Sequence, residues 1–178
     1  MSRITLAVLA FAAIACLLVP ATADAHPKHG GPFGIGIILG EPTGITGKYW
    51  MGSDQALDFH LGLDGVDNHR NDNFGIYVDY LFHFDTGVNA SAFSMPFYLG
   101  PGGALVIWDD NYRGCNRFGN CYDGNDNVYL AARLPLGLAF LFTRFGGEAF
   151  VELVPTISVI PSFFHFDIHG ALGFRYYF

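Results

Sequence analysis

The stretch FHFDIHGALGFRYYF, residues 164–178, alternates between two kinds of side chain. Large apolar or aromatic residues occupy most of the even positions, and charged or small residues occupy most of the positions between them. This is the period of a β-strand, in which successive side chains point to opposite faces. The stretch therefore predicts a strand with one apolar face and one charged face.

The same alternation recurs in seven earlier segments, separated by turns rich in glycine, proline, serine and aspartate. These segments are 33–40, 45–51, 57–63, 74–84, 97–108, 128–140 and 149–159. The pattern predicts an all-β fold, an eight-stranded antiparallel up-and-down β-barrel. Two long polar connections, 64–73 and 109–127, follow the third and fifth strands, so we expect them at the same end of the barrel. A third connection, at about 85–95, falls at the opposite end.

The first 25 residues have the pattern of a secretory signal peptide. Arg3 precedes an apolar run over 4–19, and small residues at 23–25 form a cleavage site. We expect residues 1–25 to be removed and residues 26–178 to form one barrel domain. An alternative is a lipobox at 13–16 with lipidation of Cys16, but the apolar run continues past that cysteine.

The composition argues against an ordinary water-soluble domain. The chain is 51% hydrophobic and only 14% charged, whereas a soluble domain averages about 25% charged residues. Its formal net charge is −7, and the absence of basic runs argues against nucleic acid as a partner. Much of the apolar surface must therefore face something other than water.

Periodicity alone leaves open which face of the barrel is wet. A soluble barrel turns its apolar side chains inward around a ligand, whereas a membrane barrel turns them outward to lipid. All eight predicted strands carry an apolar stripe, and the other face carries glycine and scattered charge, which suit a narrow lumen. These features favour a transmembrane barrel, with lipid as its surroundings.

The final strand carries a further expectation. Leu172, Phe174, Tyr176 and Phe178 share one face and end in an aromatic residue. This resembles the signal by which the bacterial outer-membrane barrel assembly machinery recognises its clients. We therefore expect that machinery as a partner and the bacterial outer membrane as the location.

Several segments resemble known outer-membrane barrels. They are PFGIGIILGEPTGITGKYW at 32–50, ALD at 56–58, VDYLFH at 78–83 and GFRYYF at 173–178. The pattern is similar to the small OmpA/OmpX-like eight-stranded barrels, and more closely to a family of bacterial outer-membrane β-barrel proteins of unknown function. The resemblance implies the fold and the location, and it brings no reaction and no catalytic residues.

The strand faces opposite the apolar stripes predict a set of charged and titratable side chains in the lumen. They are Lys48, Asp58, His60, Asp79, His83, Arg133, Glu148, Glu152, His165, Asp167, His169 and Arg175. Buried charges must pair, since each unpaired one costs several kcal/mol, so we expect a salt-bridge plug. Acids exceed bases by two, and protonated histidines would balance them.

Two alternatives assign chemistry to the same residues. His165, Asp167 and His169 lie at alternate positions, and an adjacent pair with a cross-strand partner such as His83 would suit a metal ion. A hydrolase hypothesis combines Ser158 or Ser162 with His165 and Glu152 as a catalytic set. No recognised motif supports either, so we expect no metal, no cofactor and no enzyme activity.

Cys115 and Cys121 lie six residues apart in the polar connection 109–127. In an exported chain two nearby loop cysteines predict a disulfide. A metal site or a reactive thiol is the alternative, although no histidine lies near them in sequence.

The predicted role is that of a monomeric outer-membrane barrel with a largely plugged lumen. It would act structurally, or bind an extracellular partner through 64–73 and 109–127. The alternative is a narrow pore for ions or small solutes, and a lipid-modifying enzyme is a third, weaker hypothesis.

Overall fold

A computed structural model describes residues 31–63, 73–88, 90–108, 113–115, 121–123, 128–142, 144–160 and 165–178. The predicted signal peptide, the alternative lipidation site at Cys16 and most of the connections 64–73 and 109–127 lie outside these residues. The division into residues 1–25 and 26–178 therefore stays a prediction.

The described residues form thirteen strands, β1 to β13. Their bounds are Phe33–Gly40, Gly44–Trp50, Gln55–Leu63, Asn73–Phe84, Phe93–Ser94, Phe97–Leu99, Gly102–Trp108, Arg113–Cys115, Cys121–Asp123, Val128–Arg133, Leu136–Phe142, Gly147–Ile160 and His165–Tyr177.

Eleven of these strands form one closed antiparallel sheet, in which β1 pairs with both β2 and β13. We use the word stave for each full crossing of the barrel wall. β5, β6 and β7 lie along the fifth stave, and β10 and β11 along the sixth, because both halves of the sixth keep one register against the fifth. The described chain is thus a closed eight-stranded antiparallel barrel, as the sequence predicted.

Prolines account for the division of the fifth and sixth staves. Pro101 separates β6 from β7, and Pro135 lies between β10 and β11. Proline has no backbone N–H to give to the ladder. Each proline carbonyl still accepts a hydrogen bond from the neighbouring stave: Tyr80 N donates to Pro101 O at 2.9 Å, and Gly100 N donates to Pro135 O at 3.3 Å. Alternation over 97–108 and 128–140 predicted unbroken strands, whereas the structure interrupts both at these prolines.

The tilt of the staves follows from the register. One row of cross-strand neighbours starts at Glu148 on β12, circles the barrel, and returns to β12 at Ser158. In order the row is Glu148, Arg175, Gly36, Thr46, His60, Tyr77, Ala104, Ala131 and Ser158. A shift of ten residues over eight staves corresponds to a tilt of about 41° at ~3.3 Å per residue and ~4.8 Å between strands.

The two faces of the wall differ sharply in chemistry. Large apolar or aromatic side chains that are 36–65% exposed come from all around the barrel, Ile37, Leu153 and Leu172 among them. The fully buried side chains facing inward include charged ones. In the described part of the chain we find no helix long and apolar enough to cross a membrane.

Glycines make room for the aromatic rings inside. Tyr98 lies opposite Gly137, and a Cβ on that glycine would stand 2.2 Å from the tyrosine ring. Tyr177 lies opposite Gly34 in the same way, at 2.7 Å. The lumen is therefore filled by large side chains that cover bare backbone on the neighbouring stave.

Candidate functional site

The lumen charges form two groups, and the tighter one lies near the end of the barrel that carries Phe33 and Tyr177, here called the lower end. This lower cluster comprises Lys48, Asp58, Glu148 and Arg175, each at most 1% exposed. Arg175 lies 2.7 Å from Asp58 and 3.0 Å from Glu148, and Lys48 lies 3.1 Å from Glu148. Two cations thus meet two anions, and the cluster is neutral.

Neutral side chains complete the hydrogen bonds of the lower cluster. Arg175 Nη2 donates to Thr46 Oγ1 at 2.7 Å, and the Tyr177 hydroxyl donates to Glu148. The Arg175 guanidinium carbon lies 3.9 Å from the centre of the Phe150 ring. These partners were not among the predicted lumen residues, although their positions alternate in step with the charges on the inward face.

His83 joins the lower cluster as an acceptor. Its Nε2 lies 2.8 Å from Lys48 Nζ, and a lysine ammonium has donors only. With Lys48 charged beside Glu148, the His83 ring must be neutral. The expectation that protonated histidines balance the lumen acids is therefore wrong at His83.

The second group, the upper cluster, comprises His60, Asp79, Arg133 and Glu152. Arg133 Nε lies 3.1 Å from Asp79, and Arg133 Nη2 lies 3.6 Å from Glu152. His60 Nε2 lies 3.5 Å from Asp79. All four residues are at most 4% exposed, so this cluster is buried but more loosely packed than the lower one.

The upper cluster also has incomplete hydrogen bonding. Both ring nitrogens of His60, both carboxylate oxygens of Asp79, two nitrogens of Arg133 and Glu152 Oε1 have no hydrogen-bond partner among the described residues. Glu152 Oε2 accepts from the Tyr98 hydroxyl at 3.0 Å. Buried polar groups in native proteins are nearly always hydrogen-bonded, so the ion pairs of the upper cluster are less completely satisfied than those of the lower one.

The remaining predicted lumen residues lie at the upper end of β13. Asp167 and His169 keep 21% and 23% of their side chains exposed, and their nearest charged atoms are 3.7 Å apart. His165 lies further up the same strand. His83 belongs to the lower end, so it is no partner for this row. Within the described ranges no three His, Cys, Asp or Glu side chains converge as a metal site would need.

The residues of the hydrolase alternative are separated in the same way. Ser158 faces His165 across the ladder of β12 and β13, but its hydroxyl donates to Ile160 O at 3.3 Å. Glu152 lies six residues before Ser158 on the same strand, a distance of about 20 Å along it. Ser162 lies outside the described residues. The structure does not bring these groups together as a triad.

The predicted cysteine pair lies on a small separate hairpin formed by β8 and β9. Their backbones are direct cross-strand neighbours, Cys115 opposite Cys121. Such neighbours have Cα atoms about 4.5–5.5 Å apart, which is within the range that a disulfide spans.

Comparisons with known proteins found no matching family model, no matching curated protein and no matching solved structure.

Proposed function

We propose that this chain is a transmembrane barrel of the bacterial outer membrane, of the small OmpA/OmpX-like kind. The observation that carries the proposal is the inversion of the barrel: exposed apolar side chains outside and buried charge inside. Ile37 and Leu153 are 59% and 60% exposed, and exposing such apolar side chains to water would be unfavourable for a soluble barrel. Lipid is the solvent that makes this surface favourable.

The height of the apolar surface supports a membrane setting. On β13 the outward residues from Phe166 to Tyr176 are apolar or aromatic where they carry a side chain, and each such side chain is 37–56% exposed. Ten residues at ~3.3 Å and a tilt of about 41° rise about 25 Å. The lipid-facing band of outer-membrane barrels is about 25 Å tall.

The lumen favours a plug over a pore. The lower cluster leaves Lys48, Glu148 and Arg175 fully buried, and its ion pairs join the β2, β3, β12 and β13 walls. We infer a structural role, or a surface-binding role through 64–73 and 109–127, with a disulfide between Cys115 and Cys121 in the second connection. The incomplete hydrogen bonding of the upper cluster is the one feature that favours the narrow-pore alternative.

Location is tested by fractionating bacteria that produce the full chain. We expect the barrel in the outer-membrane fraction, without residues 1–25. Recovery from the soluble periplasm would refute the membrane proposal.

Conduction is tested in planar lipid bilayers with the refolded chain, insertion being verified by protease protection. We expect silent bilayers. Reproducible single-channel steps would refute the plugged lumen and support the narrow pore.

Surface binding is tested with a variant that lacks residues 109–127. Lost attachment to cells or matrix supports the role of that connection, and unchanged attachment argues against it.

A further inference from the structure

The contact between Lys48 and His83 differs from the ion pairs of the lower cluster, because both partners are bases. Lys48 Nζ lies 2.8 Å from His83 Nε2. The ammonium has donors only, so this contact is a hydrogen bond only while Nε2 keeps its lone pair. A proton on Nε2 would remove the acceptor and place a second cation against the first.

Two aromatic rings hold the imidazole in this position. The ring centres of Trp50 and Tyr98 lie 4.3 Å and 5.4 Å from that of His83. Lys48 Nζ lies over the same two rings, 4.7 Å and 5.2 Å from their centres. Lys48, Trp50, His83 and Tyr98 therefore pack around one ammonium group, and we call these four residues the latch.

The ring nitrogens of His83 have no carboxylate partner in this arrangement. Nδ1 lies beside the Asp54 carbonyl, which already accepts a hydrogen bond from His83 N at 2.7 Å, and Nδ1 makes no hydrogen bond of its own among the described residues. A protonated His83 ring would therefore be a poorly satisfied buried cation.

The surrounding strands supply no spare anion either. Their charged and titratable inward groups near His83 are Lys48 on β2, Asp58 on β3, Tyr98 on β6, Glu148 on β12, and Arg175 and Tyr177 on β13. Glu148 already accepts from Lys48, Arg175 and Tyr177, and Asp58 accepts from Arg175. The carboxylates of Asp54 and Asp85 are exposed at the lower end, outside the latch.

His83 is also the latch residue that lies closest to water. It is 8% exposed and is the penultimate residue of β4, at the lower end of the barrel, whereas Lys48 and Tyr98 are fully buried. A charged His83 ring thus has a short way out to the exposed carboxylates, and its departure would uncover one face of Trp50.

We propose that the latch is an acid-sensitive switch: protonation of His83 breaks its hydrogen bond with Lys48, releases the ring toward the water at the lower end and uncovers Trp50. The closed latch excludes the proton, whereas a released histidine binds it with the ordinary midpoint near about pH 6.5. The released form binds more protons, so acid favours it, by up to about tenfold per pH unit below that midpoint.

The switch goes beyond the structural role proposed above and does not depend on the membrane or on conduction, because every contact of the latch lies within the barrel. Its failure would leave the location and the plugged lumen untouched.

The test is acrylamide quenching of Trp50 in the folded barrel in nonionic detergent, between pH 8 and pH 5. Trp108→Phe makes Trp50 the only tryptophan, and circular dichroism verifies the fold at each pH. We expect the quenching constant to rise as the pH falls below about 6.5. In His83→Gln it should stay flat, because the glutamine oxygen still accepts from Lys48 and binds no proton.

The matched control is His169→Gln, which removes a titratable ring near the other end of the barrel, 3.7 Å from Asp167, and should keep the rise. If His83→Gln does not fold, His83→Asn takes its place. The proposal is overturned if Trp50 quenching does not change with pH while His83 is present, or if it rises equally in the variant without His83.

Discussion

Arg175 offers the sharpest test of the lumen network. It is fully buried, lies 2.7 Å from Asp58 and 3.0 Å from Glu148, and donates to Thr46. Arg175→Met keeps much of the side-chain volume and removes the charge. Removing one partner of a buried ion pair costs about 3–5 kcal/mol, so we expect the free energy of unfolding to fall by about 4 kcal/mol.

The measurement is urea-induced unfolding in lipid vesicles, followed by tryptophan fluorescence. Arg144→Met is the control, because Arg144 is exposed in the turn before β12 and its loss should change the unfolding free energy by no more than about 0.5 kcal/mol.

A double variant separates charge from packing. Arg175→Met with Asp58→Asn leaves the neutral pair of Lys48 and Glu148, so the double loss should be smaller than the sum of the single losses by about 1–3 kcal/mol. Strict additivity, or a loss below about 1 kcal/mol in Arg175→Met, would refute the account of the lower cluster as a paired network.

Three further predictions test the surface, the lumen packing and the hairpin. Leu153 is 60% exposed on the outer wall, and Leu153→Arg should lower the unfolding free energy in vesicles by about 2–4 kcal/mol. Phe178→Arg, at the edge of the apolar band, should lower it by only about 0–1 kcal/mol. Equally small losses in both variants would contradict a lipid-facing wall. Gly137→Ala should lower the unfolding free energy by about 1–3 kcal/mol through overpacking, because the new Cβ would stand 2.2 Å from the Tyr98 ring. Gly170→Ala should leave it unchanged, because the nearest atom to its Cβ is 3.8 Å away. Urea unfolding that ranks the two variants the other way would contradict this packing. Thiol labelling of the exported chain with mass spectrometry should find Cys115 and Cys121 blocked until a reductant is added; two free thiols before reduction would rule the disulfide out.

The eight staves and their two faces follow from the order of the amino acids alone. Alternation with period two is a local property, because each side chain of a strand points opposite to its neighbours. It assigned Lys48, Asp58 and Arg175 to the charged face, and the structure buries all three inside. The missing backbone donor of Pro101 is also a local property, and it interrupts the fifth stave although the alternation continues on either side of it.

Which charges meet, by contrast, depends on how the barrel closes. Arg175 and Asp58 are 117 residues apart in the chain, and their contact depends on closure of the barrel and on the ten-residue shift around it. That shift fixes the height of each inward residue, so it separates the lower cluster from the upper cluster. No local pattern encodes it, because alternation is compatible with several different shifts, each of which would pair different charges.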